Sequence, residues 1–323
     1  MLKIRVGIVG YGNLGKGIEA GLEQSPDFEL VSIFTRRIPD TLTTHSRVES
    51  YDDIFKFKDK IDVLILAGGS QKDIPIQGPS LAQEFNTVDC FDNHAVIAEY
   101  FNKMDKVTKK HRRVSTIAVG WDPGLFSLNR MLGDAILSQG KTYTFWGPGL
   151  SQGHSDVVRR VAGVKMAVQY TIPQDDMIKD IRAGHEVEYN SQKAHSRLVY
   201  VVADQSADLE KIRNEIVNIP DYFAPYETRV NFISEEEFLN EHQAMPHGGS
   251  VLHLAKTSPN NKAVYEFSLT LENNSEYTAA ISIAFARATY RLYQEESYGA
   301  KTIFDIPLGL LSASSKNELL NLL

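Results

Sequence analysis

Residues 4–15 read Ile4-Arg5-Val6-Gly7-Ile8-Val9-Gly10-Tyr11-Gly12-Asn13-Leu14-Gly15. The first six form a short, mostly apolar run of strand type. The glycines after them have the spacing G-x-G-x-x-G, and Leu14–Gln24 beyond reads as a helix. A strand, a glycine-rich turn and a helix in that order predict the opening unit of a dinucleotide-binding sheet. Gly10 permits the tight turn, Gly12 lets backbone approach a pyrophosphate, and Gly15 lets helix and strand pack closely. The N-terminus of the helix then offers free N–H groups and the positive end of its dipole to phosphate.

The pattern repeats outward from this unit. Leu30–Phe34, Val63–Leu66, Val88–Phe91 and Val114–Val119 are further candidate strands, with a helix at Ala95–Lys110. Strands alternating with amphipathic segments predict a Rossmann-type, doubly wound parallel sheet over residues 1–120. Ala67-Gly68-Gly69-Ser70, Asp92-Asn93-His94 and Trp121-Asp122-Pro123-Gly124 each follow a predicted strand. All therefore fall on the rim outside the carboxyl ends of the strands, where open α/β sheets bind ligands.

The second predicted strand ends in Thr35-Arg36-Arg37. A protein that binds NAD usually carries Asp or Glu there for the ribose 2′-hydroxyl. An acid would repel a 2′-phosphate, whereas a hydroxyl and two guanidiniums hold one by charge-assisted hydrogen bonds. The expected cofactor is NADP.

Beyond Gly120 the texture changes. Turn-rich segments separate Lys165–Thr171, Arg197–Ala203, Thr228–Ile233 and Ala263–Leu271, which read as antiparallel strands, and a long helix follows at about Thr278–Gln294. Residues 121–275 therefore read as a mixed α+β domain whose open sheet binds substrate, pairs with a second subunit, or does both. Residues 276–323 form a C-terminal helix and tail, expected to pack back toward the first domain. Ser234-Glu235-Glu236-Glu237 reads as a solvated helix start.

Composition narrows the function classes. Hydrophobic residues make up 42% and charged residues 23% of 323, ordinary for a globular chain of two domains. A net charge of -7 gives no bulk attraction to nucleic acid. Cys90 is the sole cysteine, which excludes an intrachain disulfide and a cysteine zinc site. The histidines show no metal spacing. Without a signal-peptide pattern or an apolar run of membrane length, a cytoplasmic protein without membrane partners is expected.

Three segments are more discriminating than the glycine loop: Gly120-Trp121-Asp122-Pro123-Gly124, Phe145-Trp146-Gly147-Pro148-Gly149-Leu150-Ser151-Gln152-Gly153-His154-Ser155-Asp156 and Met245-Pro246-His247-Gly248-Gly249. In these, and through nearly its whole length, the chain resembles the meso-diaminopimelate dehydrogenase family. The match is less close around Ile38–Ser50, Met177–Ser191 and the last 25 residues, where no matched functional position is lost. The resemblance implies NADP-dependent, reversible oxidative deamination of meso-2,6-diaminopimelate at its D-centre. By the same resemblance the expected products are L-2-amino-6-oxopimelate and ammonia, in lysine and diaminopimelate biosynthesis, and a homodimer is expected because the family is typically one. It places cofactor contacts on Tyr11-Gly12-Asn13-Leu14, Thr35-Arg36-Arg37, Gly69-Ser70-Gln71-Lys72, Asp92-Asn93-His94 and Trp121-Asp122-Pro123-Gly124-Leu125. It places substrate contacts on Asp92, Asp122, Trp146, Gln152, Gly153, Thr171, Arg197, His247 and Asn274.

The chemistry of these residues suits a double zwitterion. Asp92 and Asp122 can hold the reacting ammonium as paired acceptors, and Arg197 suits a bidentate grip on carboxylate. Thr171, Gln152, His247 and Asn274 offer neutral or switchable hydrogen bonds, and Trp146 can exclude water. Hydride loss leaves an imine for water to attack, so some group moves protons. Asp122, Asp92 and His154 are the candidates, with Asp122 favoured. Three other readings stay open: dehydrogenation of other D-amino acids, a different two-domain NADP reductase, and a dinucleotide-binding scaffold without chemistry.

Overall fold

The computed structural model describes residues 3–323. By its internal contacts the chain divides into two compact units, Met1–Leu128 with Ser275–Leu323, and Asn129–Asn274.

The first unit opens with β1 (Ile4–Val9), α1 (Asn13–Glu23) and β2 (Phe28–Thr35). It continues through β3 (Val48–Ser50), β4 (Val63–Leu66), α2 (Ile74–Leu81), β5 (Asn86–Asp89), α3 (Ile97–His111) and β6 (Val114–Thr116). Its strands pair in parallel in the order β3-β2-β1-β4-β5-β6. That is the order of a Rossmann sheet, with its switch point between β1 and β4. All four residues of β4 are buried, as expected of a central parallel strand with both faces covered. Phe34, Ile54, Phe57 and Leu64 fill one core cluster, and Ile74, Phe91, Tyr100 and Met104 another.

Two strands stop earlier than their apolar runs suggest: β5 at Asp89 rather than Phe91, and β6 at Thr116 rather than Val119. The reason is the Asp89 side chain. Its Oδ1 accepts the backbone N–H of Phe91 at 3.0 Å and that of Ala118 at 3.1 Å, groups a continuing strand would commit to its neighbours.

Helix α4 (Leu125–Ile136) precedes β7 (Lys141–Trp146), β8 (Gly149–Leu150), α5 (Gln152–Val158) and β9 (Val164–Pro173). The chain then forms α6 (Asp175–Arg182), β10 (His195–Ala203), α7 (Leu209–Val217), β11 (Glu227–Phe232) and α8 (Glu235–Glu241). The long strands β12 (His247–Ser258) and β13 (Asn261–Leu271) follow. The second unit holds two sheets. One is β11-β10-β9-β8, in which only the β10–β11 pair is parallel; the other is the antiparallel β13-β12-β7. In the four-stranded sheet, alternation sends Ala167, Val199, Val201 and Val230 to one face, onto Ile212, Ile216 and Phe223. At α8, Ser234 caps the first turn by accepting the N–H of Glu237 at 3.1 Å.

The last long helix, α9 (Asn274–Gln294), starts four residues before the apolar periodicity does. It packs on α1 in the first unit, where Gly17 and Gly21 give it room. A Cβ at Gly17 would stand 3.2 Å from Cβ of Ala279, and one at Gly21 would stand 2.6 Å from Cδ1 of Ile283. Arg287 anchors the helix through Asp27, with its Nε 2.5 Å from Oδ2. Strand β14 (Gly299–Lys301) then pairs in parallel with β6 as the seventh strand of the first sheet.

Candidate active site

At the switch point of the first sheet, a cavity of about 400 Å³ opens between the turns that follow β1, β2 and β4. Gly10, Tyr11, Gly12, Thr35, Arg36, Arg37 and Gly69 line it, as the motif reading expects of a dinucleotide site. Gly10 has φ +96°, a conformation that favours glycine. A Cβ on Gly15 would lie 2.3 Å from the Gly10 carbonyl oxygen, so the helix can start this close to the turn only with glycine there. The N-cap Gly12 supplies no side-chain hydrogen bond and the first turn of α1 carries no acid. The N-terminal amides of α1 are thus not masked by a side-chain cap, the arrangement that suits a pyrophosphate.

The polar groups around this cavity are already arranged. The Arg37 guanidinium donates to the Tyr11 carbonyl, and its backbone N–H reaches Thr35 Oγ1 at 3.1 Å. Arg36 pairs with Asp73 at 2.8 Å, and Asp73 also accepts the Gly69 N–H at 3.0 Å. The Tyr11 hydroxyl and that of Thr44 both donate to the buried Glu19. Burial pushes its carboxyl up, but hydrogen bonds from Ser46, Thr44 and Tyr11 together hold it below its ordinary range. Sequence reasoning missed Tyr51, Asp73 and Gln77 as lining residues. Gln77 could have been found only from the fold: it is buried, and its Oε1 has no hydrogen-bond partner.

The other residues expected at the cofactor do not line this cavity. Asn13, Leu14 and Gly15 form the first turn of α1. Ser70 Oγ accepts the Asp92 N–H at 3.2 Å, which joins two rim loops, while Gln71 and Lys72 are exposed in the turn before α2. Asn93 and His94 continue the loop from Asp92. Trp121–Leu125 is a closed turn: Gly120 N–H donates to the Pro123 carbonyl at 2.9 Å, Phe126 N–H to that of Trp121 at 2.8 Å, and the Asp122–Pro123 bond is cis.

In the second unit the register brings several expected substrate residues into one row. Gly149 pairs with Thr171, and Thr171 with Arg197. His247 packs against Gly149, where an added Cβ would come within 2.5 Å of the imidazole Cγ. Gly147 has φ +97° and approaches so closely that a Cβ would fall 2.1 Å from the Thr171 carbonyl oxygen. Arg197 Nη1 donates to Thr171 Oγ1 at 2.6 Å, and its guanidinium lies 3.9 Å from the centre of the Tyr226 ring. Arg197 is 8% exposed, and burial lowers its pKa. Its Nε has no hydrogen-bond partner, and among the described residues no carboxylate pairs with it.

A second group stands on Met245. Gln152 Nε2 donates to its sulfur at 3.0 Å, and Asn274 N–H donates to its carbonyl at 3.1 Å. Gly153 follows Gln152 in α5. His154 Nδ1 is 2.8 Å from Ser151 Oγ, with its ring edge-on to Tyr222 and Phe223. Burial, helped by the positive charge of Arg197, pushes this histidine down to about 4. Burial also lowers His247, which accepts the Gly248 N–H through Nδ1. His195 went unnoticed in the sequence because a histidine at a strand start carries no signal. It lies beside Trp146 at 5.3 Å between ring centres, and its Nε2 accepts the backbone N–H of Trp146 at 2.9 Å.

Among the described residues, no group of three His, Cys, Asp or Glu side chains is placed to hold a metal ion. No helix among them is long and apolar enough to cross a membrane.

Comparison with known proteins gives one consistent neighbourhood. Residues 120–273 match the family model described as the diaminopimelic acid dehydrogenase C-terminal domain. The chain is 54% identical to a meso-diaminopimelate D-dehydrogenase of Lysinibacillus sphaericus, over 99% of this chain and 98% of that protein. It is 44% identical to the enzyme of that name from Corynebacterium glutamicum, over 99% of both. A solved C. glutamicum diaminopimelate dehydrogenase in complex with diaminopimelate superposes with a TM-score of 0.92 at 44% identity, covering 99% of each chain. An engineered D-amino acid dehydrogenase bound to NADP+ superposes with a TM-score of 0.86 at 42% identity, again over 99% of each chain.

Proposed function

The chain belongs to the meso-diaminopimelate D-dehydrogenase family, and from that membership we infer its reaction: NADP-dependent, reversible oxidative deamination of meso-2,6-diaminopimelate at the D-centre. The products are L-2-amino-6-oxopimelate and ammonia; the reverse direction supplies the diamino diacid for lysine and diaminopimelate biosynthesis. The observation that carries the substrate class is Arg197. A buried guanidinium without an acid of its own is costly unless a ligand carboxylate completes it.

The residues at the first cavity fit NADP. Arg36, Arg37 and Thr35 would hold the 2′-phosphate, and the amides at the start of α1 the pyrophosphate. Held there, NADP would supply the hydride acceptor for deamination and the hydride donor for amination. The chain's own groups do the rest. Arg197, with Thr171 oriented beside it, grips a substrate carboxylate. His247, Gln152, Gly153 and Asn274 supply neutral contacts, and Trp146, its backbone N–H held by His195 and its ring lying beside that imidazole, walls off water. Asp92 and Asp122 accept hydrogen bonds from the reacting ammonium and fix which hydrogen faces the cofactor. Proton movement to and from the imine and its attacking water falls to Asp122, with Asp92 as its neighbour. His154, neutral above pH of about 4, acts as a hydrogen-bonding group rather than a proton shuttle. We place cofactor binding in the first unit and carboxylate recognition in the second. We also propose a cytoplasmic homodimer with no nucleic-acid partner.

NADPH formation by purified protein tests the reading, with meso-diaminopimelate set against a panel of simple D-amino acids. Turnover with meso-diaminopimelate is expected; turnover only with simple D-amino acids would overturn it. Sedimentation at micromolar concentration tests the dimer.

A further inference from the structure

Asp89 is a fully buried carboxylate at the end of β5, and the mechanism above does not use it. No cation pairs with it among the described residues; instead it is satisfied by hydrogen-bond donors from three places. Oδ2 accepts the Tyr100 hydroxyl of α3 at 2.7 Å. Oδ1 accepts the N–H of Phe91 at 3.0 Å and of Ala118 at 3.1 Å. Its backbone carbonyl takes the N–H of Val119 at 3.0 Å. The last residues paired across β5 and β6 are Val88 and Thr116. Beyond them the two strand ends are held together by this one side chain and its carbonyl.

What leaves those ends is the pair of rim loops. Phe91 directly precedes Asp92, with its ring stacked at 4.4 Å on that of Tyr100. Ala118 stands at φ +56°, unusual for a residue with a side chain, and its N–H is turned toward Asp89 just ahead of the Gly120–Asp122 turn. Burial without a counter-charge pushes the Asp89 carboxyl up to about 6, though its three donors oppose the shift. A hydrophobic residue would avoid burying a charge but would leave the N–H groups of Phe91 and Ala118 without an acceptor, so the carboxylate is tied to what it holds.

We propose that Asp89 is a positioning residue of the reaction: its carboxylate sets the placement of the loop bearing Asp92 relative to the loop bearing Asp122. The proposal rests on the reading that these two aspartates hold the reacting amine. An acceptor for two amides is the requirement, not a charge. Asparagine meets it, because its Oδ1 keeps both N–H groups while its amide donates to the Tyr100 oxygen. Leucine does not.

Steady-state kinetics and amide hydrogen exchange on Asp89→Asn, Asp89→Leu and Tyr100→Phe test this. Asp89→Leu should lower kcat about 100-fold, the scale expected for misplacing reacting groups by about an ångström. KM for NADP should move far less, and exchange should quicken in peptides spanning residues 90–94 and 117–122. Asp89→Asn should keep both kcat and exchange near wild type. If Asp89→Leu does not fold, Tyr100→Phe carries the test with a smaller loss of kcat and faster exchange in the same peptides. A folded Asp89→Leu protein with undiminished kcat removes the proposal, as does an Asp89→Asn protein as impaired as Asp89→Leu. If Asp92→Asn and Asp122→Asn both leave kcat unchanged, the amine-binding reading falls and the proposal with it. If they lower kcat while Asp89→Leu does not, the proposal falls alone.

Discussion

Arg36 and Arg37, at the rim of the first unit, each meet an acceptor of the protein itself, Asp73 and the Tyr11 carbonyl. Arg197, inside the second, has Thr171 and the face of Tyr226 but no acid. The first pair is poised near water, where each guanidinium has donors to spare for a phosphate and loses little when none is bound. The second is a charge taken out of water and left incomplete. A cofactor shared by many enzymes needs only grip, whereas a substrate that must be distinguished from other amino acids needs a site that is poor without it.

The largest effect is expected at Arg197. Arg197→Met should lower kcat/KM for meso-diaminopimelate by about 1,000-fold, the scale for truncating one partner of a buried charge pair, and leave the Kd for NADP unchanged. Its melting temperature should hold or rise, because an uncompensated buried charge has gone. A clear fall in thermal stability would show that Arg197 is already satisfied internally. Next comes Asp122→Asn, which should cut kcat about 100-fold while sparing NADP affinity. At the first unit, Arg36→Ser combined with Arg37→Ser should shrink the preference for NADP over NAD by about 30-fold, since charged hydrogen bonds are lost from one ligand only. An unchanged preference would move the 2′-phosphate elsewhere.

The smallest effect concerns acid stability, where the two units pull in opposite directions. His154 titrates near 4 in the folded protein against an ordinary 6.5, so it adds stability above pH 6.5 that is lost as pH falls toward 4. Asp89 titrates near 6 against 3.8, so the folded state holds its proton longer, and stability falls as pH rises from 3.8 to 6. The two cancel in part across that window. Melting temperatures between pH 4 and 7 should therefore rise more steeply with pH in Asp89→Asn than in wild type, and less steeply in His154→Gln. Parallel curves would refute both assignments.

The glycine loop, Thr35-Arg36-Arg37 and the central strand Val63–Leu66 were legible because their signals are local: a spacing, a charge, an apolar run. The family resemblance supplied Thr171, Arg197 and His247, yet only register shows them in one row, since Gly149, Thr171 and Arg197 meet across three strands. Asp73 and Gln77 lie in a turn and a helix with no motif, and reach the cavity only because β4 returns beside β1. Asp89 was hidden for a different reason. Between Val88 and Phe91 it reads as an interruption of a strand, whereas it ends one strand and, through Ala118, another. Strand β14 is three residues long and has no apolar alternation to announce it.

The seventh strand bears on how the protein is made. The edge of β6 waits for Gly299–Lys301, and Thr116 waits for Thr289, whose hydroxyl stands 2.6 Å from its own. At about 5–20 residues per second, synthesis takes about ten to forty seconds to travel from β6 to β14. Throughout that interval the nascent N-terminal sheet has an open margin and lacks the helix that seats on Gly17 and Gly21. A chain stalled or clipped before residue 299 would keep its nucleotide fingerprint and still present a bare strand to its neighbours.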